Sequence, residues 1–306
     1  MNSSVEEHAP NERQTNALLD DPYLKVDWDE AARLFEFSTV AIVARAPENL
    51  MEFPDLPTRL RGALGRALFN YGPAIQHRHD PFNRPKPYDF LYSIAGMIDP
   101  RTPIPKPISI RSHIVGKTLN IQVRLLGQAQ IYAPQVASAL CGALEDGISL
   151  SADHSTRVPV RVSDCYVQKT SGLHPPKSAG FAVLAFNTPL CVRSKNLSTW
   201  SDRSFVFSML NRTRGLCRWL DLELDDAGFD AGIIAIDRSQ MQPVKWFRHS
   251  IRQKGNSIEM SGLAGRLTIK GDLTALWAPL SIAELFGMGS HATLGMGAFD
   301  MSIYPS

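Results

Sequence analysis

The chain has 306 residues, 44% hydrophobic and 20% charged, with 32 Lys and Arg against 30 Asp and Glu for a formal net charge of +2. That length suits one large domain or two ordinary ones, and the composition excludes a disordered or fibrous chain; no apolar run approaches the roughly 18 residues of a membrane helix. The near-neutral total hides an asymmetry, because residues 1–50 hold 10 acids and 4 bases and the remainder carries 28 bases against 20 acids, a balance that permits a polyanionic partner.

Residues 1–19 are polar, and Glu6, Glu7 and Glu12 lie ahead of Asn16 with no apolar core. They read as a mobile acidic leader and not as a secretory signal, so the expected location is cytoplasmic. The β-branched run from Leu34 to Ala44 predicts a buried strand. Thr58 then stands where an N-cap would open a helix, in which Leu60, Leu64, Ala67, Leu68 and Tyr71 recur at helical spacing and Gly72-Pro73 marks the end. Ala74 to Pro107 is rich in Pro, Arg and His and predicts an extended loop, of a length that is often functional.

Strands are expected at Ile108–Val115 and Thr118–Leu126, divided by the Gly116-Lys117 hairpin signal. A helix over Ala133–Asp146 follows, then strand-like runs at Ile148–Ser151 and Val158–Gln168. Lys169 to Ala179 reads as a linker, after which a similar order recurs. GFAVLAFNTPLCVRS predicts a strand pair or bent strand, and Ser201–Leu222 a helix with Phe205, Met209, Leu216 and Leu220 as its apolar stripe. Strands at Val244–Gln253 and Ile258–Ile269, a helix at Leu273–Leu285 and a closing strand at Phe299–Tyr304 complete it. Two halves of like order predict an α+β fold of two tandem ferredoxin-like (RRM-like) domains with antiparallel sheets, residues 20–170 and 180–306, behind the leader.

Cys141, Cys165, Cys191 and Cys217 lie far apart with no CxxC pair and are expected to be reduced core thiols. No HExxH or HxxxH spacing, GxSxG elbow or Walker loop occurs, so neither a metal nor another cofactor is expected.

Two stretches carry candidate chemistry. In GMGSHATLGMGAF, Gly287, Gly289, Gly295 and Gly297 are dense enough for backbone N–H groups to approach a phosphate, or simply to form tight turns before the last strand. In VKWFRHSIRQKG, strand alternation would put Lys245, Phe247 and His249 on one face and Trp246, Arg248 and Arg252 on the other. Bases interleaved with aromatics suit single-stranded nucleic acid, by phosphate neutralisation and base stacking; a solvated edge strand is the plainer reading.

WFRHSIRQ, then GLAGRLTIKGDL at Gly262–Leu273, then the terminal Gly-rich loop resemble the carboxyl-terminal signature of the CRISPR-associated precursor-crRNA processing endoribonucleases of the RAMP superfamily. LPTRLRGALGRAL at Leu56–Leu68, PYDFLYSIAGMIDPRTPIPKP and FNTPLCVRS extend the resemblance, in the family's order, over most of the chain. The resemblance implies two ferredoxin-like domains, a Gly-rich loop that helps hold RNA, and metal-independent cleavage beside a repeat hairpin giving a 5′-hydroxyl and a 2′,3′-cyclic phosphate. It implies CRISPR repeat RNA, as precursor and mature product, for a partner, with other effector subunits as further candidates and no membrane. Ser290 and Ala298 stand where the family usually has Lys and Arg.

Attack by the RNA's own 2′-hydroxyl asks for a base, a cation beside the phosphorane and an acid for the leaving 5′-oxygen. A His suits either proton-transfer role. His77 and His79, in the basic loop after the first helix, are the foremost candidates; His249 and His291 come next, while His8, His113, His154 and His174 lack comparable company. Arg59, Arg61 and Arg66, Lys245, Trp246, Arg248 and Arg252, and the four glycines of the loop are the candidate RNA contacts. The alternatives are a non-cleaving RAMP-type RNA-binding subunit of an effector complex and an unrelated two-domain α+β protein.

Overall fold

The computed structural model describes residues 19, 22–48, 55–70, 85–99, 102–149, 156–176, 179–191, 200–225, 234–245, 247–249 and 257–304, with backbone alone for 247–249 and 257–259. In the first half, strand β1 (Glu36–Arg45) is followed by helix α1 (Leu56–Asn70), the hairpin β2 (Ile108–Val115) and β3 (Thr118–Leu126), helix α2 (Ala133–Glu145) and strand β4 (Val162–Ser171). The second half repeats the order with β5 (Phe181–Leu190), α3 (Asp202–Cys217), β6 (Ile234–Val244), β7 (Gly262–Gly271), α4 (Trp277–Phe286) and β8 (Phe299–Tyr304). The sheets run β2-β3-β1-β4 and β6-β7-β5-β8, antiparallel throughout. Each is the βαββαβ strand order of a ferredoxin-like unit.

The elements form where apolar periodicity demands them. In α1, Leu60, Leu64 and Leu68 recur every four residues and are buried, the stripe of an amphipathic helix. β1, central in its sheet, buries Phe37 on one face and Val40, Ile42 and Ala44 on the other. The two cores are not separate. In α4, Trp277, Ala278, Ile282 and Phe286 join the first core while Leu280 and Ala283 join the second. Phe286 stands edge-on to Phe35 and Phe37, with ring centroids 5.9 and 6.1 Å away. Leu24–Val26 pairs in parallel with Leu222–Leu224, tying the start of the described chain to the second half.

Several boundaries differ from expectation for physical reasons. Thr58 lies inside α1 rather than capping it, and its hydroxyl donates to the Leu294 carbonyl at 2.6 Å. The expected linker begins inside β4, and Gly172 and Leu173 then donate backbone N–H groups to Phe35 and Ala32. The strand expected at Val244–Gln253 lies earlier: β6 ends at Val244 and is interrupted by a bulge between Asp237 and Gln240, which pair with Thr268 and Arg266 of β7. Among the described residues beyond it, Phe247–His249 is strand and pairs with Ser257–Glu259 outside the main sheet. The Pro-rich stretch is more ordered than a loop in its described part: Asp89–Ser93 is a π-helical turn, and Met97–Asp99 pairs with Thr102–Pro103. The cysteines are free, but only Cys191 and Cys217 are core thiols; Cys141 is half-buried and Cys165, on the edge strand β4, is exposed. No described helix is long and apolar enough to cross a membrane.

Candidate nucleic-acid interface

The Gly-rich loop starts at the carboxyl end of α4, where the last carbonyls of a helix need outside donors. Four side chains supply them. Arg212 of α3 donates through Nε to Gly287 at 2.8 Å and through Nη2 to Phe286 at 3.0 Å. From the first sheet, Arg124 and Ser109 both donate to Leu285, at 2.8 and 3.1 Å, and Arg111 donates to Glu284. Guanidinium groups here also sit at the negative end of the helix dipole. Burial pushes Arg212 and Arg124 down to about 10 and lowers Arg111, whose charge is offset by Asp300 at 3.3 Å and by Glu284.

Beyond Gly287 the loop packs back on itself and on α1. Gly297, at φ 61°, leaves no room for a Cβ against the Met288 carbonyl, and its N–H donates to Pro189 at 2.9 Å. A Cβ on Gly295 would come within 2.6 Å of Pro57 in α1, and the Gly295 N–H bonds Ala292 at 3.0 Å. These two glycines therefore set the loop's shape rather than offering amides to a phosphate. Gly287 and Gly289 also have positive φ, and Gly287 is buried. At the loop's outer turn His291 is exposed, in left-handed backbone at φ 61°.

Helix α1 meets this turn from the other half. Thr58 reaches Leu294, and Arg61 donates through Nε to the Thr293 carbonyl. The Arg61 guanidinium also lies over the Tyr92 ring, 4.4 Å from its centroid, and burial lowers its pKa. Lys106, bonded to the Ile94 carbonyl, is pushed down to about 8 by burial and by Arg61. A cation with a pKa that near neutrality marks a candidate site when it stands in such company.

The expected site residues fall into three groups. Arg59, Arg61 and Arg66 share α1, but only Arg66 is exposed: Arg59 is held by Asp55 at 2.7 Å and by the Ser149 carbonyl at 2.6 Å. Lys245 is exposed beyond β6, and Arg248 and His249 lie on the short hairpin strand. His77, His79, Trp246 and Arg252 lie outside the described residues. Sequence reasoning missed Arg111, Arg124, Arg212, Tyr88, Tyr92 and Lys106. The i, i+4 spacing of Tyr88 and Tyr92 was an available signal, whereas the three arginines come from separate elements that only the tertiary fold brings together. Among the described residues no group of three or more His, Cys, Asp or Glu could hold a metal ion.

Two sheets of ferredoxin-like strand order in one chain, with a Gly-rich loop bonded to the first helix, define an α+β protein. Residues 184–299 match the family described as CRISPR-associated endoribonuclease Cas6. Over those residues the match agrees with the resemblance read from the sequence. Among solved structures, a Cas6 product complex is 16% identical, with 87% of this chain and 99% of that chain covered at a TM-score of 0.51. A second Cas6 product complex is 16% identical, with 89% and 100% covered at a TM-score of 0.49. At that identity the first of these speaks for the fold. No curated protein matches the chain in sequence.

Proposed function

We propose that the protein cuts CRISPR precursor RNA within its repeats, at or beside a hairpin, without a metal ion, and that residues 20–170 and 180–306 act as its two ferredoxin-like units. The observation that carries this reading is the family match over Gly-rich loop and second sheet, together with the contact that loop makes to α1 of the other half. The 2′-oxygen loses its proton to a base and attacks the adjacent phosphorus; the bond to the 5′-oxygen breaks, and that oxygen takes a proton from an acid. The products are a 2′,3′-cyclic phosphate and a 5′-hydroxyl, with no water consumed.

His77 or His79 is the proposed proton carrier, with His291 and His249 as the next candidates. Arg66 and Lys245, both exposed, bind phosphates together with Trp246, Arg248 and Arg252. Arg59 and Arg61 shape the site, since their guanidinium groups already serve Asp55 and Thr293. The RNA is held in the precursor and in the cut form, in the cytoplasm.

Incubation of the full chain with its host's repeat RNA in excess EDTA tests this. Cutting at one position within the repeat is expected. Tight binding without cutting would favour a non-cleaving RNA-binding subunit; weak, salt-insensitive binding would remove RNA from the account, because phosphate contacts impose a steep salt dependence.

A further inference from the structure

One face of α1 carries Arg61, Gly65 and Phe69 at four-residue spacing, and Tyr92 and Tyr88 lie along it. Gly65 makes this possible: a Cβ there would stand 3.0 Å from the Tyr92 ring. The Tyr92 hydroxyl donates to the Arg61 carbonyl at 3.0 Å, which fixes the ring against the helix. Tyr88 stacks on Tyr92 with ring centroids 5.2 Å apart and planes 3° from parallel, and Phe69 meets Tyr88 edge-on at 5.1 Å. The result is a continuous ladder from the half-buried Arg61, bonded to the Gly-rich turn, outward to Phe69, which is 57% exposed.

An aromatic ring held so rigidly yet left in solvent is poor core design, because its outer surface contributes nothing to folding. It is a good stacking platform, because its orientation is fixed before a ligand arrives. The charges around it fit an anionic ligand: Arg66 is exposed one turn before Phe69, and Lys86 is exposed two residues before Tyr88. Asp89 follows Tyr88 in the chain, and burial raises its pKa. In sequence, His77 and His79 fall between Phe69 and Lys86.

We infer that Phe69, backed by Tyr88 and Tyr92, stacks an unpaired nucleobase of the RNA next to the cut phosphate, with Arg66 and Lys86 on the phosphates flanking that base. This deepens the endoribonuclease reading and depends on it. Stacking is tolerant of base identity, so the platform sets where the strand leaves its hairpin rather than which base it carries. By the usual worth of one stacked base, about 1–3 kcal/mol, its loss weakens binding roughly five- to 150-fold.

Repeat RNA carrying 2-aminopurine at each unpaired position in turn tests the platform. With the wild-type chain, quenching on binding is expected at one position beside the cut. Phe69→Leu keeps the apolar bulk and removes the π-face, so that quench should disappear and the Kd rise about tenfold, while thermal unfolding is unchanged and Phe69→Trp restores both. Arg66→Gln should weaken binding uniformly and lower the salt slope by about 1. Wild-type quenching and Kd in the Leu variant would overturn the inference while leaving the enzyme reading intact. A Leu variant altered only in sedimentation would make this face a contact between protein chains and overturn it too. A wild-type chain that neither binds nor cuts repeat RNA would overturn both.

Discussion

Arg212 and Gly287 fix the junction between α4 and the loop: the Arg212 Nε donates to the Gly287 carbonyl at 2.8 Å while the same guanidinium reaches Phe286. Replacing Arg212 by Leu leaves both carbonyls without this donor in a buried place. We expect a loss of about 3 kcal/mol in urea unfolding, with Arg212→Lys losing less because it keeps the charge and one bond. A loss below about 0.5 kcal/mol, the range of ordinary surface changes, would contradict this anchor.

Three glycines separate local from tertiary demands. Gly62 has nothing within 4 Å of an added Cβ, so Gly62→Ala should stabilise α1 by about 0.5–1 kcal/mol. Gly65→Ala pushes on the Tyr92 ring and should be neutral or destabilising. Gly297→Ala combines left-handed backbone with a clash on Met288 and should cost more than about 3 kcal/mol, or prevent folding. Thermal melts of the three variants decide the order.

The shared core predicts that residues 180–306 alone do not form a compact unit. Without the first half, Trp277, Ile282 and Phe286 would face water; three side chains of that size together represent about 5–8 kcal/mol of lost burial. Expressed by itself, the fragment should show broad, non-cooperative melting and bind hydrophobic dyes. A sharp melt would make the halves independent domains.

Thiol labelling at pH 8 should find Cys165 reactive in the native protein. Burial pushes Cys191 to about 11 and Cys217 to about 12, so both stay protonated below those values and should react only after denaturation. Native labelling of Cys217 at the rate of Cys165 would mean that the core around it is open.

The fold was legible in the sequence wherever apolar periodicity was unbroken. The hairpin Ile108–Val115 and Thr118–Leu126 and the closing strand Phe299–Tyr304 have the expected bounds, because alternation and a Gly turn specify them locally. β6 was missed because a bulge at Asp237 to Gln240 and Pro243 hide its alternation. The glycines of the loop were visible as a cluster, but not their reason: close approach to Pro57 and Met288 exists only in the folded chain. The same holds for Arg59 and Arg61, whose charges looked available until Asp55, Ser149 and Thr293 were found beside them.

The most direct test of the account places a single 2′-deoxy nucleotide on the 5′ side of the cut in the repeat RNA, in EDTA. The account predicts unchanged binding, no cutting of the substituted strand, and a 2′,3′-cyclic phosphate with a 5′-hydroxyl from the unmodified one. Cutting of the 2′-deoxy strand, or products ending in a 3′-hydroxyl and a 5′-phosphate, would contradict it.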